Sequence, residues 1–402
     1  MNLLRSTLAV LLSLTATFLS AEDWPCWRGP RGDGISRESN WNAKWPESGP
    51  KTLWKAEVGT GFSSFSVANG RVFTMGWKDG EDSVYCFNAE TGEKLWTHTY
   101  KCLLVDNLHE GGPACTPTVD GDRVYTISKE GHFFCLSADK GAVIWKEELQ
   151  PLLDVSMPEW GFSCSPLVVG DLLIVEAGRT VAFDKLTGKI IWQTEKYYPG
   201  YGSPALWEVG GKRLIATLNN ECLLVIDLKT GDVLDKAPWT TDYKTSSITP
   251  IVSGESIFIS TGYKRGCAKW TLKDGKLEND YENKSMANHM ANCVLWKGHL
   301  FGIDGNSHAA SQCRVTCVDY ATGKAVWKER GLGCGSLLMA GEKLILLSDA
   351  GELVVAEPSF EEFKPLARAQ VLSGRCWTVP VLANGRIFCR NAAGEVVCVD
   401  VR

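Results

Sequence analysis

The stretch VYCFNAETGEKLW, residues 84–96, decides the fold. It holds a β-rich run, a turn centred on Thr91-Gly92, and a second run with Trp96 four residues past the glycine. Apolar runs meeting at a glycine turn are what a β-hairpin requires. Close echoes follow as CLSADKGAVIW (135–145), AFDKLTGKIIW (182–192), VIDLKTGDVLD (225–235), KWTLKDGKLEN (269–279) and CVDYATGKAVW (317–327). A worn copy lies near 355–365, and CVDVR ends the chain.

A second element keeps the same beat: VANGRVF, VDGDRVY, VVGDLLI, VGGKRLI, VSGESIF, WKGHLFG, MAGEKLI and LANGRIF. Their turn glycines run from Gly70 to Gly385, eight copies at a mean spacing of 45 residues. Each unit therefore reads as four short strands, the signature of a propeller blade, because one blade cannot bury both faces alone. The eighth copy stops at Arg402 after three strands, and TLWKAEV (52–58) offers the missing one, with Trp54 in register with Trp96. The expected fold is all-β: an eight-bladed β-propeller of four-stranded antiparallel blades over 52–402, its ring closed by strand 52–58 joining the C-terminal blade. Such closure leaves no open sheet edge.

Two segments precede the repeats. Residues 1–21 carry one positive charge, Arg5, then an apolar run too short to span a bilayer, and read as a signal peptide. Cys26 does not sit at the cleavage point, so no lipid anchor is expected there. Residues 22–51 hold Trp24, Trp27, Trp41 and Trp45, too much aromatic surface to leave in water, and are expected to strap against the ring. No further long apolar segment follows. The reading is a monomer without a transmembrane segment, periplasmic or secreted.

A net charge of -5 leaves no basic surface for phosphate neutralisation, which argues against nucleic acid. Fifteen cysteines in an exported chain would ordinarily suggest disulfides. However, Cys86, Cys135, Cys317 and Cys398 share one repeat position, which Ala182 fills in another copy. That pattern asks for a small buried side chain, so mostly reduced core cysteines are expected, with one or two local disulfides unassigned. No C-x-x-C-H haem motif and no C-x-x-C pair for zinc is present.

The repeated box resembles the tryptophan-docking repeat of the quinoprotein (PQQ-binding-like) β-propeller superfamily. That group includes PQQ-dependent alcohol dehydrogenases and the non-catalytic assembly factor BamB. DWPCWRGPRGDGIS (23–36) resembles the N-terminal element of secreted PQQ-like repeat proteins of planctomycete-type bacteria. The resemblance implies that Trp54, Trp96, Trp145, Trp192 and Trp327 dock neighbouring blades. Where the box lapses, at Asp235, Asn279 and Pro365, weaker docking of blades four, five and seven is expected.

Function is then expected on the rim opposite the tight turns, where second-to-third strand loops and blade-to-blade connections lie. A PQQ site would need cations for three carboxylates, an aromatic floor, and oxygens for Ca²⁺. Arg179, Arg265, Arg375 and Arg390 are the candidate cations, Trp160 or Trp377 the floor, and Glu159, Asn220 or Asp304 the oxygens. His289 is a candidate ligand or base. Against an enzyme stand the missing vicinal Cys-Cys pair and the missing haem motif. No catalytic residue or metal set can be assigned. The leading expectation is a non-catalytic scaffold binding a protein partner or small ligand at its axial face; the alternative is a PQQ/Ca-dependent dehydrogenase oxidising an alcohol or sugar.

Overall fold

A computed structural model describes residues 21–46 and 48–402, so the signal peptide expected at the N-terminus lies outside them apart from Ala21. Eight four-stranded antiparallel sheets follow one another along the chain, one of them extended by a two-residue strand. Blade one consists of Ser66–Ala68, Arg71–Lys78, Glu81–Asn88 and Lys94–Lys101, each strand pairing with the next. The last blade takes Val381–Ala383, Arg386–Arg390 and Glu395–Asp400 from the C-terminus and Lys51–Glu57 from the N-terminus. Lys51–Glu57 runs antiparallel to Glu395–Asp400 with Trp54 opposite Cys398, one residue earlier at each end than the sequence suggests.

The turn in the opening stretch is built by side chains. Asn88 Oδ1 accepts the Glu90 and Thr91 amides, and the Gly92 amide closes onto Asn88 O at 2.9 Å. Asp184, Asp227 and Asp319 cap the equivalent turns in the same way. Gly92 sits at φ +72°, and a Cβ there would lie 2.6 Å from the Trp54 ring. The glycine is thus the seat for the preceding blade's tryptophan, whose indole N–H donates to Ala89 O at 3.1 Å.

The seat recurs around the ring. Trp96 lies on Gly141 and donates to Ala138 O, Trp145 lies on Gly188 and donates to Lys185 O, and Trp192 lies on Gly231 and donates to Leu228 O. Trp327 donates to Ser359 O and packs on Phe363. Opposite Trp96, Trp145, Trp327 and Trp54 stand Cys86, Cys135, Cys317 and Cys398, and opposite Trp192 stands Ala182. The small cross-strand partner makes room for the indole. At blade five, Tyr281 replaces the tryptophan two residues late: it lies on Gly323 and donates to Tyr320 O at 3.1 Å. At blade four, Asp235 accepts the Leu277 amide at 2.7 Å.

All fifteen cysteines are free thiols, fourteen of them buried. The one or two local disulfides expected from the sequence are therefore absent: these residues pack into the blade cores as small hydrophobes.

A belt of hydroxyls joins the blades near the axis. The Thr116 amide donates to Ser165 Oγ and the Ser165 amide to Ser203 Oγ, both at 2.9 Å. The Ser203 amide reaches Thr249 Oγ1 at 3.3 Å, and the Thr249 amide reaches Asn292 Oδ1 at 3.0 Å. The Ser64 amide donates to Thr116 Oγ1 at 3.3 Å, Ser64 Oγ to Val379 O at 2.8 Å, and Ser336 Oγ to Thr378 O at 2.9 Å. Each bond crosses from one innermost strand's entry to the next, and these residues are buried.

The N-terminal segment enters the channel from the tight-turn rim. Trp24 pairs with Val67, and Pro25 O accepts the Val119 amide. The Trp27 indole donates to Thr249 Oγ1, and Arg28, buried, donates to Cys293 O. Ile35–Ser36 then adds a parallel strand beside Met339 and Ala340. Trp24 and Trp41 are buried, Trp27 and Trp45 partly so. The inner strands of blades one, two and seven thereby find backbone partners inside the ring.

Candidate functional site

With one end of the channel filled, the opposite axial rim carries the remaining unusual chemistry. Trp377 stacks on Phe62 with centroids 5.5 Å apart, and Phe62 meets the edge of His109 at the same distance. The Arg375 guanidinium covers Trp377 at 4.4 Å and pairs with Glu110 at 2.8 Å. On the neighbouring connection, the Trp160 indole donates to Asn107 O at 3.0 Å while Asn107 Nδ2 donates to Glu159 Oε1 at 2.8 Å. Trp160 meets Tyr201 edge-on at 5.8 Å.

Beyond them stands an aromatic cluster. Tyr263 lies 4.9 Å from Tyr243, 4.9 Å from His289 and 5.7 Å from His308. Burial first, then Tyr243 and Glu159, push the Tyr263 phenol up. Lys244 Nζ sits 3.8 Å over the Tyr198 ring. Burial pushes His289 down to about 4, helped by His308, and its Nδ1 accepts the Ser307 amide at 3.1 Å. Burial, Lys129 and Arg375 likewise bring His109 to about 4. Both imidazoles are neutral at pH 7 and act as acceptors or stacking faces.

Backbone strain concentrates here. Tyr243, Lys244, Tyr263 and Lys264 have φ of 65°, 53°, 54° and 59°, and Val105 and Leu108 have 52° and 63°. For bulky or β-branched residues such conformations cost about 1–3 kcal/mol each and persist where the surroundings impose them. Leu108 is 83% exposed and Tyr243 70%, so the strain holds apolar surface out in solvent.

The structure brings Glu159, Trp160, His289, Arg375 and Trp377 onto this face. The other five candidates are engaged by the chain itself. Arg390 is fully buried and donates to Ser63 O, Met75 O and Gly59 O, sewing blade eight to blade one. Arg179 holds Leu153 O and Thr194 O. Arg265 pairs with Glu282, donates to Thr240 O and covers Trp239 at 3.6 Å. Asn220 bridges Pro199 O and the Ser246 amide, and Asp304 pairs with Lys328 and caps the Ala287 amide. Sequence reasoning placed Tyr263 and the connections holding Asn107, Tyr201 and Tyr243 on this rim without giving those residues a role, and it missed Phe62. YYPGYG (197–202) and TTDYKTS (240–246) carry the only local signal, tyrosines in connections otherwise rich in turn residues.

These residues supply stacking faces, exposed ammonium groups and hydrogen-bond acceptors. For a PQQ tricarboxylate the fit is poor, since three of the four candidate arginines have their donors directed at protein acceptors and Arg375 already holds Glu110.

Comparison with known proteins agrees with the fold. Residues 80–329 match the family model described as outer membrane protein assembly factor BamB. A search of curated proteins finds no match. Among solved structures, BamB from Moraxella catarrhalis is 15% identical, covers 88% of this chain and 98% of its own, with a TM-score of 0.60. The quinohemoprotein alcohol dehydrogenase from Comamonas testosteroni is 12% identical, covers 94% of this chain and 80% of its own, with a TM-score of 0.72. The computationally designed Ika8 protein, 12% identical, covers 88% and 100% with a TM-score of 0.59. Among the described residues, no helix is long and apolar enough to cross a membrane. With the match spanning more than half of its length, the chain belongs to the PQQ-like β-propeller family of the assembly factor BamB.

Proposed function

We propose that this propeller is an exported, periplasmic or secreted, non-catalytic scaffold that binds a protein partner on its axial face. The carrying observation is the set of strained connections that hold Tyr243, Tyr263, Lys244, Lys264 and Leu108 toward that face. Exposed aromatic and basic groups held rigidly at one end of a ring suit a docking surface, because anchors that are already ordered lose little entropy on binding. Engagement of Arg179, Arg265 and Arg390 by the chain supports this reading over quinone binding.

Two measurements separate the readings. The full-length protein is mixed with PQQ and Ca²⁺, and its absorbance spectrum and dye reduction with alcohols and sugars are recorded. The scaffold reading expects no retained quinone chromophore and no turnover; a retained chromophore with dye reduction would establish the dehydrogenase instead. A photo-crosslinking side chain at Tyr243, in the protein exported by its own cell, should give one discrete adduct that Tyr263→Ser removes. The same group at Ile191, exposed on an outer strand, should give none.

A further inference from the structure

We propose that Cys102, Glu130 and His132 bind a divalent cation of the zinc class at the junction of blades one and two. Cys102 directly follows Lys94–Lys101, the outer strand of blade one, whereas Glu130 and His132 come from the loop and third strand of blade two. The thiol, one carboxylate oxygen and one imidazole nitrogen all lie within 4.8 Å of one another, close enough to share one ion. Thiolate and imidazole are ligands that zinc takes in preference to calcium or magnesium, which favour all-oxygen shells.

The surroundings already hold the three groups in place. Cys102 is buried, its amide donating to Gly80 O at 3.1 Å and its carbonyl accepting the Trp77 indole N–H at 2.8 Å. Glu130 Oε2 accepts the Leu103 amide at 2.8 Å and leaves Oε1 available. His132 Nδ1 lies 2.9 Å from Ser128 Oγ and Nε2 lies 3.6 Å from Glu148, so whichever nitrogen takes the metal, the other keeps an orienting partner. A separate observation points to an occupant. Asp82 is fully buried beside the Tyr100 hydroxyl and the Cys102 thiol, and neither of its carboxylate oxygens makes a hydrogen bond of good geometry. Three protein ligands leave a fourth zinc position for water, and that water would supply Asp82 with a donor. On coordination the thiol releases its proton to solvent and the metal clips blade one to blade two.

The test uses the metal-free full-length protein. Titration with Co²⁺ should give one equivalent of binding and a thiolate-to-cobalt charge-transfer band that Zn²⁺ bleaches. Glu130→Gln and His132→Gln should each weaken binding about tenfold or more, while Cys26→Ser should leave the band intact. X-ray absorption of the wild-type zinc complex should show one sulfur at about 2.3 Å with nitrogen and oxygen ligands at about 2.0–2.2 Å. That measurement decides the matter even if Cys102→Ser does not fold. The proposal is overturned if the folded wild type takes up no stoichiometric Co²⁺, if the band survives in a folded Cys102→Ser protein, or if the zinc shell holds no sulfur or more than one.

Discussion

Trp96 donates its indole N–H to Ala138 O at 3.0 Å and rests on Gly141, while its own blade's Ala89 and Gly92 receive Trp54 in the same way. The boxes of blades one, two, three and six are therefore plug and socket at once, linking those blades head to tail with their neighbours. The socket's glycine answers two demands, a left-handed backbone and a bare face for the ring.

Those two demands can be separated. Gly92 and Gly70 both have φ +72°, but a Cβ at Gly70 would meet nothing within 4 Å, whereas at Gly92 it would meet Trp54 at 2.6 Å. Both Gly→Ala variants incur the backbone strain; only Gly92→Ala also displaces the indole. Gly92→Ala should be the less stable by a further ~1–3 kcal/mol, read from denaturant or thermal unfolding of the two variants side by side. Equal stability would show that the ring contact contributes nothing.

The hydroxyl belt makes a second prediction. In Ser165→Ala the buried Thr116 amide loses its acceptor, at a cost of about 1–3 kcal/mol. Ser165→Thr keeps an oxygen at that place and should recover most of the loss in the same unfolding measurement. Failure of threonine to do better than alanine would contradict the role given to the hydroxyl.

Arg390 sits where the last blade meets the first, and burial pushes its guanidinium down to about 9, so it remains charged at pH 7. Arg390→Ala should cost about 3–5 kcal/mol by orphaning the carbonyls of Gly59, Ser63 and Met75. Hydrogen exchange should localise the opening to that seam; uniform loss of protection would indicate another cause.

His289 gives a pH signature. Its folded value is near 4 against 6.5 when free, so the unfolded chain binds the proton more readily. Stability from this group is intact above about 6.5 and falls as pH drops toward 4, by at most ~3 kcal/mol. His289→Gln should flatten that part of the stability-versus-pH curve, measured by unfolding at a series of pH values. An unchanged slope would remove His289 as its source.

Much of the architecture was legible because repetition and turn chemistry are local. The 45-residue beat, the Asn, Asp or Ser and the Gly of most outer turns, and the Cys or Ala opposite each docking tryptophan all follow from what a single blade needs. Even the belt had a trace in Thr116-Pro117, Ser165-Pro166, Ser203-Pro204 and Thr249-Pro250, although nothing local says that those hydroxyls face the next blade.

By itself the sequence determined an eight-bladed propeller and the rim on which its docking turns lie. Only the tertiary structure decided which polar residues of the opposite rim are left without a partner in the chain. Arg390, Arg179 and Glu159 look alike as charged residues, but a guanidinium's fate depends on which carbonyls lie about 3 Å away: Arg390 finds Met75 O from the other end of the chain, Arg179 finds Leu153 O and Thr194 O from its own neighbourhood. Tyr263 meets Tyr243 and His289, and Cys102 meets Glu130 and His132, because consecutive blades pack side by side, a contact that no local sequence specifies.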